Sequence, residues 1–498
     1  MISILPILPP SLCLAAVLAC LVAGDRTRAL ALVGMVAQLA LLGIGFVLFA
    51  HAQEDTLLVH PLGGWQAPVG IVFVADRLAA LLLLLVLVVF SAATVYFFLD
   101  REPRSRASAL ALIFLLEMGI VGGLLTGDLF DFYVFFELMG LASYGLVGYR
   151  RSPAHVEAAI KYAALSLAGS TLMLLGVGAI YAQTGTLAFA GLQEASEVVR
   201  SRPLFLFAVA LVLVSLCLKC ALVPLHFWLP DAHSIAPTAV SVLLSGTVVK
   251  LGLYGIVRLL GSNAPWVWTA VGTVLLPIGA LTAVIAALAA VSQRDLKRLL
   301  AWSTASQMGY IVAAAALGSS AGVAAALTHA VAHALMKSTL FLGAGAAIGA
   351  SGERRWDRMG GLLACSPLLA AALLVAFLSL AGIPPLAGFS GKLAIFAALI
   401  EARAWVTLLC LLFASALMIY LAVRIWLALF GGKPAFPPTR PPAAKVAVVG
   451  VMALFVVIAG LATGPLLLVA RAAAADLFLG EAYRSAVLGL PTSTEVLP

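Results

Sequence analysis

Apolar stretches long enough to cross a bilayer recur along the whole 498-residue chain. About eighteen to twenty such residues, wound as a helix, span ~30 Å of hydrocarbon. About fourteen can be marked, at 2–23, 28–51, 72–98, 107–126, 128–149, 157–182, 203–228, 237–261, 266–291, 297–318, 320–349, 363–400, 404–430 and 444–470. Hydrocarbon offers no water to unpaired backbone groups, so only helices or a closed barrel can cross it. The stretches are continuous and do not alternate at period two, which excludes the barrel. A composition of 63% hydrophobic and 10% charged residues excludes an ordinary soluble domain. The expected fold is therefore an all-α polytopic membrane protein with about fourteen transmembrane helices. The eleventh and twelfth stretches are too long for one straight span and must bend, break or tilt. The first lacks a basic leader, with Arg26 and Arg28 following its apolar run, so it is not expected to be a cleaved signal peptide.

Ionisable side chains stranded inside these stretches carry the functional information. Glu137, Lys219, Lys250, His329, His333, Lys337 and Lys392 all lie within them. Each charge at the centre of a membrane helix costs roughly 2.5–3.5 kcal/mol even on a lenient scale. Retaining seven such groups points to a buried polar route for a proton or small ion. Glu137 lies about ten residues into its helix, or roughly 15 Å deep. A carboxylate there needs a proton or a nearby cation, and Lys219 is the natural partner. Lys250 sits too far along the eighth span to snorkel easily. His329, His333 and Lys337 recur every four residues, on one helical stripe suited to proton relay rather than to a metal site.

Other positions carry alternatives. Glu157 and Lys161, four apart at a helix entrance, read as a local ion pair. Glu117 stands between an access-channel role and packing. His226, Asp231 and His233 line a helix break, where hydrogen bonding to freed backbone is favoured over catalysis. Arg424 reads as a helix anchor. The six cysteines, including the Cys217–Cys220 CxxC pair, lie in apolar segments and read as packing residues. The glycine-rich run from Gly343 to Gly349 reads as close helix packing. No P-loop, haem, flavin, iron–sulfur or metal-ligand pattern appears, so no cofactor is expected.

The net charge of +8 is a topology signal, not a nucleic-acid footprint. One alternating set of loops holds Arg26, Arg28, Arg101, Arg104, Arg106, Arg150, Arg151, Arg294, Lys297, Arg298, Arg354, Arg355, Arg358, Lys433, Arg440 and Lys445. The opposite set is poorer in Lys and Arg. The positive-inside rule then places both termini on the outer side of the cytoplasmic membrane.

Proline interrupts two spans, at Val223-Pro224 with Trp228-Leu229-Pro230-Asp231, and at Gly382-Ile383-Pro384-Pro385. Interior proline removes a backbone hydrogen bond, and freed carbonyls in hydrocarbon must be buried in protein or face water. A lysine accompanies each break, and the breaks are five spans apart. Paired interruptions of this kind mark inverted repeats. The expected organisation is helices 1–3 over 1–106, a first five-helix repeat over 107–261, a second over 266–430, and a last helix with tail over 444–498.

Three motifs carry a resemblance: Gly127-Asp128-Leu129-Phe130 with Val134-Phe135-Phe136-Glu137-Leu138, Lys219 with the run from Pro224 to His233, and the run from Arg294 to Thr304. They resemble the antiporter-like subunits shared by respiratory complex I, energy-converting hydrogenases and Mrp-type multisubunit cation/proton antiporters. Within that family the chain is most similar to the D-type component of the Mrp antiporters, in length and in its lysine on the broken twelfth helix. Asp131-Phe132-Tyr133 departs from the pattern, and no long lateral helix is expected after the last span. The resemblance implies fourteen helices in two inverted five-helix repeats and supports the Glu137–Lys219 partnership and the terminal role of Lys392. It also implies sister membrane subunits, with H⁺ and Na⁺ or K⁺ as the transported ions. The expectation is a proton-translocating antiporter subunit. Alternatives are the proton-pumping arm of a redox complex or a proton-coupled subunit for inorganic-carbon uptake.

Overall fold

A computed structural model describes residues 2–54, 57–100 and 105–490. Arg101 and Arg104 lie outside the described residues, as do the last eight residues of the expected C-terminal tail. The molecule is a helical bundle. Its first part comprises α1 (Leu8–Ala23), α2 (Thr27–Gln53), α3 (Arg77–Leu99), α4 (Arg106–Leu125), α5 (Leu129–Gly148) and α6 (Pro153–Thr184). Between α2 and α3 a short antiparallel pair, β1 (Leu58–Pro61) and β2 (Val72–Ala75), is the one departure from an all-helical chain among the described residues. The third span therefore begins later than its apolar run. Asp76 fixes the start of α3 by accepting from Ala79 N–H at 2.8 Å.

Polar caps set the other boundaries in the same way. Asp128 accepts from the N–H groups of Phe130 and Asp131 at the start of α5, and Ser152 with Pro153 opens α6. A short α7 (Phe189–Val198) leads into α8 (Pro203–Lys219), α9 (Trp228–Ile235), α10 (Thr238–Leu243) and α11 (Val249–Gly261). A single π-helical turn, Leu244–Val248, joins α10 to α11. The second part comprises α12 (Pro265–Ser292), α13 (Leu296–Ala315), α14 (Ser320–Ser351), α15 (Leu362–Cys365), α16 (Pro367–Ala381), α17 (Ala387–Glu401) and α18 (Trp405–Gly431). It ends with α19 (Ala443–Leu461), α20 (Thr463–Leu479) and α21 (Glu481–Leu488).

Among the described residues, eleven single helices are long and apolar enough to cross a membrane, or twelve if the bent pair Thr463–Phe478 and Glu481–Leu488 forms one span. Three of the fourteen expected spans fall outside that count, for physical reasons. The breaks leave α8 and α16 shorter than a bilayer, and α13 is polar inside, with Ser303, Thr304, Ser306 and Gln307 all fully buried. The last stretch is corrected as well: a helix expected over 444–470 stops at Leu461, and α20 starts afresh at Thr463.

Burial follows position in the bundle. α14 and the α10–α11 span are almost wholly enclosed, whereas α1, α2, α18 and α19 expose much of their apolar surface, as lipid-facing helices do. Close helix packing accounts for the glycine-rich end of α14. A Cβ on Gly343 would meet Leu373, and one on Gly345 would meet Thr238 at 2.4 Å.

The two breaks have one backbone design. At the first, Leu222 N–H donates to Cys217 C=O and Ala221 N–H to Leu218 C=O, both at 3.0 Å, with Ala221 at φ +55°. At the second, Ile383 donates to Leu378 and Gly382 to Ser379, also at 3.0 Å, with Gly382 at φ +87°. Each is a Schellman ending, which ties off the last carbonyls of a helix through a left-handed residue.

Candidate buried ion relay

The residues singled out from the sequence fall into four groups within the bundle. The first surrounds Lys219, the last residue of α8. Its ammonium lies in a cage of aromatic faces, 5.4 Å from the Phe136 ring centre, 5.2 Å from Tyr144 and 5.0 Å from Tyr162. It also donates to the hydroxyls of Tyr144 and Tyr162 at 3.5 Å and Ser166 at 3.3 Å. Such faces stabilise a cation without neutralising it. Trp228 closes the cage: its ring stacks on Tyr162 at 4.4 Å and its indole N–H donates to Leu218 C=O at 2.7 Å.

Glu137 does not pair with Lys219. It is half-buried on α5 with no hydrogen bond or ion pair among the described residues. The expected partnership is therefore not a direct ion pair among the described residues. The aromatic cage occupies the room beside the ammonium that a carboxylate would need.

The second group is centred on Lys250, the second residue of α11. The π-helical turn before it widens the helix, and the Lys250 ammonium donates to Ser245 C=O within that turn at 2.7 Å. The same nitrogen is hydrogen-bonded to His333 Nδ1 on α14. His333 Nε2 is buried with no partner among the described residues. Two elements distant in sequence thus share one proton position.

The third group lies between α13 and α14. Lys337 donates to Ser303 Oγ and to Leu300 C=O, while His329 Nε2 pairs with Gln307 Oε1 at 2.9 Å. Ser245 and Thr304 hydroxyls join α13 to the π turn at 2.9 Å. His233, fully buried on α9 and stacked on Phe341 at 4.7 Å, has no partner for either ring nitrogen among the described residues. The fourth group is Lys392 on α17, which donates to Leu380 and Ala381 C=O at 2.9 and 3.2 Å. The Tyr310 ring lies 5.5 Å from its ammonium and contacts the His329 ring, joining the fourth group to the third.

The remaining candidates lie elsewhere. Glu117 is fully buried but faces the N-terminal helices, accepting from Gln38 Nε2 at 2.7 Å. Lys161 pairs with Glu157 at 2.6 Å on an exposed helix face. Asp231 pairs with Arg298 at 3.2 Å near the surface, and His226 packs against Phe227 and Trp302. Among the described residues, none of His226, Asp231 and His233 shows a side-chain hydrogen bond to freed backbone at the first break, contrary to expectation. Trp228 serves Leu218 C=O, and Thr282 Oγ1 accepts from Val223 N–H at 3.0 Å. Arg424 rests on the rings of Trp356 and Tyr420. All six cysteines are free thiols.

Sequence reasoning misses two features. Lys297 reads as a loop charge, yet it is buried and donates to Ala236 C=O at 3.0 Å. Its signal is its place just inside a helix that Asp295 caps through Arg298 N–H. The hydroxyl and amide lining of α13 is the second, visible as a run of Ser, Thr and Gln within an apolar stretch. Among the described residues, no carboxylate lies within ion-pair distance of Lys219, Lys250, Lys297, Lys337 or Lys392. The array is a file of bases held by hydroxyls, carbonyls and rings.

Comparison with known proteins agrees with this architecture. The chain is 36% identical over 398 residues to the N-type component of the NADH-quinone oxidoreductase of Desulforudis audaxviator, covering 77% of each chain. It is 33% identical over 402 residues to the D-type component of the Na(+)/H(+) antiporter of Alkalihalophilus pseudofirmus, covering 80% of this chain and 81% of the other. Its fold matches a chain in the Mrp complex of Dietzia sp. DQ12-45-1b with a TM-score of 0.89 and 28% identity, over 98% and 99% of the two chains. The model of the family described as NADH:quinone oxidoreductase/Mrp antiporter, transmembrane, matches residues 126–418, which span all four groups. The bundle and its file of buried lysines and histidines are thus those of a multi-pass membrane protein that belongs to the NADH:quinone oxidoreductase/Mrp antiporter family.

Proposed function

We propose that this chain is the proton-translocating subunit of a multisubunit Na⁺ (or K⁺)/H⁺ antiporter of the cytoplasmic membrane. Protons pass along Glu137, Lys219, Lys250, the His329/His333/Lys337 group and Lys392. One observation carries the reading: among the described residues, five buried lysines and four buried histidines lie in one bundle without a paired carboxylate. Neighbouring ammonium groups at low dielectric repel one another by several kcal/mol. A proton arriving at one base therefore pushes the next away, and hydroxyls such as Ser303, Thr304 and Ser166 offer intermediate stations.

The Glu137 carboxylate sets the first step from a distance. It is half-exposed and unpaired midway along a membrane helix, a position that suits cover by a sister subunit. The relative named as a Na(+)/H(+) antiporter component and the neighbour in an Mrp complex support a hetero-oligomer. The matching Schellman endings support two repeats over 107–261 and 266–430, flanked by 1–106 and 444–498. Loop charge supports both termini on the outer side.

The test is cation-dependent proton movement in everted vesicles carrying the complete complex. Lys219→Ala and Glu137→Ala are each expected to abolish it with the complex still assembled; near-normal movement in either sinks the relay. Lys337→Ala is expected to lower the rate only partly, since His329 and His333 flank it. A second reading, the pumping arm of a redox complex, is favoured by the relative named as a component of NADH-quinone oxidoreductase. Purifying the native complex separates the two. Iron–sulfur or flavin partners mean a redox pump, and small membrane partners alone mean an antiporter. A zinc-bearing soluble partner would mean inorganic-carbon uptake.

A further inference from the structure

Arg258 and Asp76 form a buried ion pair that the relay does not use. Their side chains are 4% and 10% exposed, and Arg258 Nη2 lies 2.7 Å from Asp76 Oδ2. The pair is one end of a polar stripe on α11. Lys250, Tyr254 and Arg258 follow at intervals of four, so they share a face and rise together by about 12 Å. Tyr254 links the stripe, donating to Leu124 C=O at 2.7 Å and accepting from Arg258 Nε at 3.1 Å. Beyond Asp76 the bundle opens into a pocket of about 460 Å³, lined by Asp76, Arg77, Arg258, Ser262, Asp476 and Tyr483. Arg77 and Asp476 pair at its rim at 2.9 Å, where Asp476 is 42% exposed. The pocket therefore ends on the last member of a stripe that begins at Lys250.

We propose that this pocket is a mouth through which protons, and not metal cations, reach the Lys250 end of the relay, with Arg258 as the cation-excluding residue. The proposal rests on the relay reading above. Arginine remains charged at every working pH, so the positive charge at the floor of the pocket is permanent. Asp76 does not cancel it completely. The carboxylate also caps α3, whose N-terminus contributes roughly half a positive charge. Both carboxylate oxygens lie against Arg258 Nη2, so a Na⁺ or K⁺ ligated by either would sit beside the guanidinium. A fixed guanidinium at a constriction opposes every cation; a metal ion must in addition shed its water to pass, whereas a proton hops between oxygen atoms with no shell to shed. Tyr483 of α21 lies over Arg258 at 5.2 Å and covers the floor of the mouth.

The rival explanation is a static clamp between α11 and α3. Complete complexes bearing Arg258→Gln, Arg258→Lys or Asp76→Asn, reconstituted in liposomes, separate the two through passive ²²Na⁺ and ⁸⁶Rb⁺ uptake at equal pH on both sides. The mouth predicts uptake raised several-fold in Arg258→Gln, and unchanged in Arg258→Lys and Asp76→Asn, which keep the positive charge. Equal behaviour of Arg258→Gln and Asp76→Asn, or tight vesicles in all three, overturns the proposal. Should Arg258→Gln fail to assemble, Ser262→Cys treated with a bulky cationic thiol reagent decides the matter. Slower proton movement than in the same vesicles untreated, with the parent chain unaffected by the reagent, supports the mouth; an unchanged rate overturns it. A leak in Arg258→Gln requires no working relay, so failure of the mouth and failure of Lys219 are read separately.

Discussion

The two helix breaks share their backbone and differ in how they use lysine. At the first, Lys219 precedes the turn, and the Leu218 carbonyl is served by Ala221 N–H and Trp228 rather than by the lysine. Its ammonium is held only by ring faces and three hydroxyls at 3.3–3.5 Å. At the second, Lys392 follows the turn and itself satisfies the carbonyls of Leu380 and Ala381. The tryptophan frees the first lysine from structural duty, which suits the proposed response of its proton to Glu137. Lys392, a proton holder in the proposed relay, also mends a broken helix. The same split explains the residues at the turn. Gly382 is needed because a Cβ there would lie 3.0 Å from Lys392 Cδ, whereas the first break tolerates Ala221.

This contrast can be broken experimentally. Lys392→Met should abolish proton movement and also leave two carbonyls without a donor, at a cost of about 1–3 kcal/mol each. The purified complex should then melt several degrees lower, whereas Lys219→Ala should lose transport with little change in melting. Equal melting of the two variants would erase the distinction. Trp228→Phe keeps the stacking on Tyr162 but leaves Leu218 C=O with only its bond from Ala221 N–H, a loss of about 0.5–1.5 kcal/mol; it should lower both stability and the transport rate. Gly382→Ala should destabilise by about 1–2 kcal/mol through its left-handed backbone, with a further loss of transport as Lys392 is displaced. Ala221→Gly has the smallest expected effect, a gain within about 1 kcal/mol, because relief of the left-handed alanine is largely offset by glycine's extra chain entropy. Melting curves and vesicle assays on one set of preparations test the whole series.

The membrane fold was legible in the sequence because long apolar runs admit few structures. The relay residues were legible because charge inside such runs is costly. What the runs concealed was polarity without charge. Ser303, Thr304 and Gln307 hold Lys337, the π turn and His329, yet each looks ordinary alone, and together they made α13 too polar to count as a span. Lys297 escaped for the opposite reason: a lysine beside Arg294 and Arg298 reads as loop charge until the cap at Asp295 starts the helix beneath it. The distance between Glu137 and Lys219 could not be read at all. It depends on how the bundle gathers Tyr144 and Tyr162 around the ammonium, and aromatic residues are common in any apolar stretch.

The π-helical turn at Leu244–Val248 acts as a phase shift written into the eighth span. It accommodates one residue more than a regular turn, so every side chain after it is rotated by about 100° relative to an unbroken helix. The azimuth at which Lys250 meets His333, and at which Tyr254 and Arg258 meet the pocket, is therefore set upstream, within the turn itself. Removing one residue from that turn would leave the composition of α11 untouched and aim its whole polar face at the wrong neighbours.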